Sequence, residues 1–171
     1  MSVLSQREVS ITQLTATHAS GAVVLIRLYV GLIFVGEGIL KFLRPETLGP
    51  GRFEKSGIPA STLLANLDGV FEIGCGILIL VGLLTRLATL PMIVDMVGAL
   101  TITKLPLLWG DAPLYPKEGG FWDFFHEGRL EMAMLCGSVF LLIVGAGGYS
   151  LDHRMNRATT PARVTGNELS I

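Results

Sequence analysis

Residues 71–100 read FEIGCGILILVGLLTRLATLPMIVDMVGAL, two long apolar runs that only Thr85 and Arg86 separate. An apolar run of about 20 residues is long enough to cross a bilayer as a helix. Because the connection is so short, the two runs are predicted to form a tight antiparallel helical hairpin. This hairpin indicates an all-helical membrane protein.

The composition of the whole chain supports the same class. Of the 171 residues, 50% are hydrophobic and 16% are charged, whereas an ordinary soluble domain has roughly 25% charged residues. The formal net charge of −1 argues against the basic footprint of a nucleic-acid-binding protein. The apolar content argues against a disordered chain. We therefore expect contact with the lipid bilayer and no nucleic-acid partner.

Two further apolar runs flank the hairpin and complete the predicted fold. The predicted spans are about 21–43, 61–84, 87–105 and 122–147. The fold class is therefore all-α, a transmembrane four-helix bundle at residues 21–148, between a polar N-terminal segment (1–20) and a polar C-terminal tail (149–171). The N-terminal segment has no apolar core, so no cleaved signal peptide is predicted. We call the end that carries both termini the terminal end and the opposite end the loop end; the count of Lys and Arg at the two ends does not decide the orientation.

Charged residues within the spans are candidate functional groups. A charge near the bilayer centre costs roughly 2.5–3.5 kcal/mol on insertion scales, so each needs a partner or a wet cavity. At a rise of about 1.5 Å per residue, Arg27 and Asp95 fall at similar depth and are predicted to form a structural ion pair. Glu72 falls nearer the middle, and the other charges, including Lys41 and Lys104, lie nearer the loop end. These positions predict a buried polar pocket with Lys104 nearby; its residues are Glu37, Asp68, Glu72, His126, Glu127, Arg129 and Glu131.

The carboxylates of this predicted pocket come in two pairs. Asp68 and Glu72 are four residues apart and share a helix face, as do Glu127 and Glu131. If all four face inward, their titrations are coupled and suit proton-linked chemistry.

Three interpretations of the predicted pocket stay open. The charges are buried pairs that fix helix register, or they line a pocket for a polar ligand or a quinone, or they hold a metal ion. The metal case rests on His126, Glu127 and Glu131, but two-carboxylate bundle sites use paired Glu-x-x-His motifs, and this chain has HEGRLE once. No metal is therefore predicted.

Three stretches resemble the DoxX family of small bacterial membrane proteins: RLYVGLIFVGEGILKF (27–42), GVFEIGCGILILVGLLTRLATLPMIVDMVGAL (69–100) and FFHEGRLEMAMLCGSVFLLIVGAGGYSLD (124–152). The most specific parts are the GLLTR turn, Glu72, HEGRLE and the GAGGYSLD exit. The resemblance implies a four-helix bundle in the bacterial inner membrane with cytoplasmic termini. It also implies a redox association, since the family takes its name from a subunit linked to a quinol oxidase and thiosulfate:quinone oxidation. No catalytic residue is carried over.

Three functions are then hypotheses for this chain. The first is an accessory or assembly subunit that positions a membrane or membrane-associated oxidoreductase partner. The second is a quinone- or small-molecule-binding oxidoreductase component that uses the acidic pocket. The third, a proton-coupled transporter, ranks last because neither inverted repeats nor broken half-helices are visible. No haem, flavin or iron–sulfur signature is evident, so the one cofactor candidate is a quinone, and whether the chain is an enzyme stays open.

Overall fold

The structure is a computed structural model that describes the backbone of residues 20–159 and the side chains of residues 20–156. Within these residues every regular element is a helix and there is no strand, which confirms the all-α class. The predicted polar N-terminal segment up to residue 19 and the tail from residue 160 lie outside the described residues.

Six α-helices follow one another along the described chain. They are α1 (Val23–Leu43), α2 (Pro50–Lys55), α3 (Ser61–Val81), α4 (Thr85–Ala99), α5 (Phe121–Val144) and α6 (Leu151–Thr159). Helix α4 continues into a π-helical turn, Leu100–Lys104, and then a 3-10 helix, Leu105–Trp109.

Three stretches have the length and apolar composition of a membrane span: α1, α3 and Thr85–Trp109. Large apolar side chains on their outer faces are exposed, among them Leu25 at 66% and Val94 at 72%, as expected where the neighbour is lipid. Helix α5 has 24 residues and is also long enough to span. It is less apolar than the other three, because its first half contains four charged residues. They are Asp123, Glu127, Arg129 and Glu131.

Helices α1 and α3 pack closely along a seam of glycines spaced seven residues apart. A Cβ atom added to Gly38 would lie 2.8 Å from the Gly69 carbonyl oxygen, and one added to Gly31 would lie 2.9 Å from that of Gly76. Glycine allows such close backbone approach, and the two pairs fix an antiparallel register. This register brings Lys41, near the end of α1, beside the acidic residues of α3.

The predicted hairpin is formed by α3 and α4, but its turn lies earlier than expected. The turn is built by Gly82, with φ +70°, and Leu84, with φ +49°, so Thr85 and Arg86 already belong to α4. The Asp152 carboxylate accepts hydrogen bonds from the Leu84 and Thr85 backbone N–H groups at 2.8 and 3.1 Å. These bonds satisfy N–H groups that have no partner within the helix.

The four long helices divide into an apolar half and a polar half. The buried apolar core lies at the terminal end and includes Val30, Phe34, Ile79, Met92, Met134 and Leu141. Helix α1 packs on α3 and α4 packs on α5, whereas α1 and α5 touch over a shorter region that includes Gly137 and Val30. Towards the loop end the helices leave a cavity.

Candidate functional site

The cavity at the loop end has a volume of about 1040 Å³. Apolar side chains form much of its wall, including Ile33, Phe34, Met96, Ile102, Leu130 and Met134. Its charged lining residues are Glu37, Lys41, Arg52, Asp68, Glu72, Asp95, Lys104, Glu127, Arg129 and Glu131. Six carboxylates thus face the cavity together with four basic side chains.

One cluster of charges is centred on Lys41. Its Nζ contacts the Asp68 carboxylate and lies 2.6 Å from Glu72 Oε2, and Glu72 is 2% exposed. Asp95 joins them from α4, so that one carboxylate oxygen of each of the three acids lies within 4.8 Å of the others. Helical side chains lean towards the N-terminus of their helix, which lets Lys41 reach from the loop end of α1 down to Glu72.

This set of three carboxylates also has the spacing of a cation site. Carboxylate oxygens are ligands that hard divalent cations accept. In this structure, however, the Lys41 ammonium already pairs with two of the three carboxylates. The arrangement therefore gives no support to a metal ion beyond the spacing itself.

A second cluster is centred on Lys104, at the end of the π-helical turn. Its Nζ donates a hydrogen bond to Tyr115 Oη at 2.5 Å and lies 3.4 Å from Glu131 Oε1 and 3.7 Å from Glu127 Oε2. Lys104 is 3% exposed. Single π-helical turns within α-helices are frequent at functional sites, and this one directs a lysine inward.

Three carboxylate oxygens of the cavity have no hydrogen-bond partner among the described residues, and one of them, Glu72 Oε2, forms an ion pair with Lys41. Asp95 Oδ2 and Glu131 Oε2 are buried and have no hydrogen-bond partner among the described residues. Buried acceptors without a donor are uncommon and destabilising. The cavity therefore has unused acceptor capacity as well as an excess of acids.

The structure brings most of the predicted pocket together. Glu37, Asp68, Glu72, Glu127, Arg129 and Glu131 all line the cavity. His126 does not, because its side chain is 68% exposed and meets the cavity residues through Glu127 Oε1, 3.9 Å from its Nε2. Neighbouring residues of a helix point in directions about 100° apart, so His126 faces outward while Glu127 faces the cavity.

The predicted Arg27–Asp95 ion pair is wrong. The Arg27 guanidinium instead donates four hydrogen bonds of 2.5 to 3.1 Å to backbone carbonyl oxygens. The acceptors belong to Ile79, Leu80, Ala146 and Tyr149. Carbonyls at the C-terminus of a helix, such as those of Ile79 and Leu80, lack helical partners and carry partial negative charge, so the guanidinium is satisfied without an ion pair to Asp95. Arg27 lies about 6 Å along α1 and Asp95 about 15 Å along α4, and Asp95 faces the cavity.

Four charged cavity residues were missing from the sequence-based pocket: Lys41, Arg52, Asp95 and Lys104. Lys41 follows Glu37 by four residues on one helix face, a spacing that could have placed it there. The depth of Lys104 along its span places it near the acids, but its inward direction depends on the π-helical turn, for which the sequence contains no signal.

Comparisons with known proteins place the cavity in context. The DoxX family model matches residues 22–105, a range that contains Lys41, Asp68, Glu72 and Asp95 and ends before α5. The chain is also 52% identical over 145 residues to a protein of Mycobacterium tuberculosis described as an "Uncharacterized membrane protein", covering 84% of this chain and 88% of that protein. No solved structure matches the chain.

Proposed function

Because the chain belongs to the DoxX family of membrane proteins, we propose that it is a four-span bundle whose loop-end cavity binds a small molecule within a membrane redox system. A quinone is the first candidate for that molecule. In this role the chain presents its ligand to a membrane or membrane-associated oxidoreductase partner. The observation that carries the proposal is the cavity of about 1040 Å³ lined by buried charges.

The cavity favours ligand binding over a purely register-fixing role for the charges. Pairs that only fix register are best closed against each other, with every lone pair and proton satisfied. Here the two lysine clusters face one open space, and acceptors such as Asp95 Oδ2 stay unpaired. The space is of the size that drug-sized ligands occupy, roughly 300–1,000 Å³, with apolar walls and a few polar groups.

The proposal includes α5 as the fourth span. Its 24 residues correspond to about 36 Å of helix, enough for a hydrocarbon core of about 30 Å. Its acids Glu127 and Glu131 face Lys104 across the cavity, so they are not directed into lipid. Four spans place both termini on one side, and we propose the bacterial inner membrane with cytoplasmic termini.

Topology is tested with reporter fusions. Fusions after Arg86 and after Asp152 are expected to report the same side of the membrane, and fusions near Pro50 and at Ala112 the opposite side. If the Asp152 fusion reports the same side as the Ala112 fusion, α5 does not span the membrane.

Ligand binding is tested on the purified full-length protein in mild detergent. Solvent extraction and mass spectrometry are expected to find a lipid-soluble molecule in near-stoichiometric amount, with a visible or ultraviolet spectrum if it is a quinone. The double variant Glu72→Gln, Asp95→Asn is expected to lose it. Glu54→Gln is the matched control, because Glu54 is an exposed acid outside the cavity lining, and melting temperatures verify that each variant is folded.

Two other outcomes have clear meanings. An empty wild-type protein that copurifies with a stoichiometric polypeptide partner would favour the accessory or assembly subunit. Equal ligand content in wild type and double variant would show that the molecule binds elsewhere, and the cavity proposal would be abandoned.

A further inference from the structure

The polar lining of the cavity offers acceptors but few free donors. Lys41 pairs with Asp68 and Glu72, and Lys104 donates to Tyr115 and lies beside two glutamates. The other two basic lining residues, Arg52 and Arg129, are half-buried and exposed respectively, and Arg52 also borders a separate, smaller pocket at the loops. The buried part of the cavity therefore has its ammonium groups already engaged.

The unpaired oxygens define what a bound head group has to supply. Asp95 Oδ2 and Glu131 Oε2 are buried without a hydrogen-bond partner in the described part of the chain. At ionised carboxylates a ligand carbonyl would meet two more acceptors, which adds no bond. A ligand hydroxyl donates, and would satisfy these oxygens while its apolar part contacts the walls.

The walls of the cavity also show where it opens. Tyr29 and Ile33 on α1 and Leu130 and Ala133 on α5 all line the cavity. Tyr29 is 39% and Leu130 is 42% exposed, so lining residues on both helices also reach the outer surface. Measured from the terminal end, Tyr29 lies about 9 Å along α1 and Leu130 about 21 Å along α5, and both depths fall within a hydrocarbon core of about 30 Å.

We propose that the cavity takes the hydrogen-bond-donating head group of a molecule dissolved in the bilayer, of the class of a dihydroxylated aromatic ring with an apolar chain, which enters from the lipid between α1 and α5. The head group donates to Asp95 and Glu131, and the chain leaves through the opening between α1 and α5. This extends the proposed function, since it names the form of the ligand that binds and the route by which it arrives.

A redox pair of one probe tests the head-group chemistry. Decylhydroquinone and the matching decylquinone share a chain and a ring, but only the reduced form donates hydrogen bonds. Binding to the full chain in nanodiscs is measured by calorimetry without oxygen, and the reduced form is expected to bind at least roughly tenfold tighter. Equal affinities, or tighter binding of the oxidised form, would overturn the inference and leave the proposed function in place. If neither form binds, the proposed function fails for quinones as well.

A single substitution then tests whether Asp95 binds the head group. Asp95→Asn replaces an acceptor by an amide that can donate, so the preference for the reduced probe is expected to shrink or reverse. Glu54→Gln, outside the cavity, is expected to keep the wild-type preference. An unchanged preference in folded Asp95→Asn protein would remove Asp95 from the site.

The route from the lipid is tested by filling the opening. Ala133→Trp adds bulk at the gap, and Val139→Trp adds the same bulk on α5 at a residue that is 36% exposed and outside the cavity lining. Association of the reduced probe is expected to slow at least roughly tenfold in Ala133→Trp and to stay as in wild type in Val139→Trp. Equal association rates in the two folded variants would rule out access between α1 and α5.

Discussion

Buried charges at the two ends of the long helices have different surroundings. At the terminal end, Arg27 and Asp152 bond to backbone groups of the α3–α4 turn and the exit of α5. At the loop end, Asp95 and Glu131 face a cavity and keep oxygens without a donor. Buried atoms without a partner among the described residues also occur at the terminal end, namely Thr85 Oγ1 and Arg86 Nε, but these residues are outside the cavity lining. The cavity beside the unpaired oxygens is therefore what distinguishes the loop end.

The largest expected effect follows from removing the charge at the terminal end. Arg27→Leu leaves four carbonyl oxygens without their donor, at about 1–3 kcal/mol for each one that stays buried, so we expect the free energy of unfolding to fall by at least about 3 kcal/mol. Denaturant or thermal unfolding in detergent measures this change. Arg44→Leu, at an exposed residue just after α1, is the control. In the double variant Arg27→Leu, Asp95→Leu the two losses of stability are expected to add. A double variant more stable than either single variant would instead be evidence for an Arg27–Asp95 ion pair.

The glycine seam is expected to have the next largest effect. A Cβ atom at Gly38 would meet the Gly69 carbonyl at 2.8 Å, whereas nothing lies within 4 Å of one at Gly36. Gly38→Ala is expected to destabilise by about 1–3 kcal/mol through overpacking, and to weaken the Lys41 cluster that this register assembles. Gly36→Ala is expected to be neutral or stabilising, because alanine favours a helix over glycine. Similar melting temperatures for both variants would contradict the close seam.

The cap at the terminal end is expected to contribute less. Asp152→Ala removes the acceptor for two N–H groups at the start of α4, and a lost cap costs about 0.5–2 kcal/mol. Asp152→Asn keeps one carbonyl oxygen and is expected to lose only part of this amount. Thermal unfolding with Asp111→Ala, an exposed loop acid, as control would detect the difference. If Asp152→Ala is as stable as the wild type, the Asp152 cap does not stabilise the terminal end.

The smallest effect on stability is expected at the loop end, where the effect on binding is largest. Glu72→Gln removes a charge from the cavity but keeps side-chain shape and an acceptor, so we expect unfolding to change by at most about 1 kcal/mol. Ligand content is expected to fall at the same time. A loss of stability as large as that of Arg27→Leu, with ligand retained, would make the loop-end charges structural and end the distinction between the two ends.

The candidate site was partly predictable from helical spacing. Asp68 with Glu72 and Glu127 with Glu131 each lie four residues apart, and both pairs reach the cavity. Their common face is a property of one helix, so it can be read locally. His126, by contrast, adjoins Glu127 in sequence and lies outside the cavity because its neighbour takes the inward direction.

Pairing between helices was not predictable in the same way. Depth along each helix suggested Asp95 for Arg27, but the rotation of α4 turns Asp95 to the cavity while carbonyl oxygens at helix ends satisfy Arg27. Likewise, Lys104 faces Glu131 because a π-helical turn redirects the chain. Both outcomes depend on atoms from elements distant in sequence.

The amino-acid sequence by itself determined the helical class, the membrane-spanning composition and the residues able to carry charge into the membrane, because hydrophobicity and helical periodicity are local sums over neighbouring residues. Only the tertiary structure decided which charges are satisfied and which face the cavity. Helix rotation and register come from the glycine seam, the Gly82 turn and the short contact between α1 and α5. These contacts join residues far apart in the chain, so no local pattern contains them.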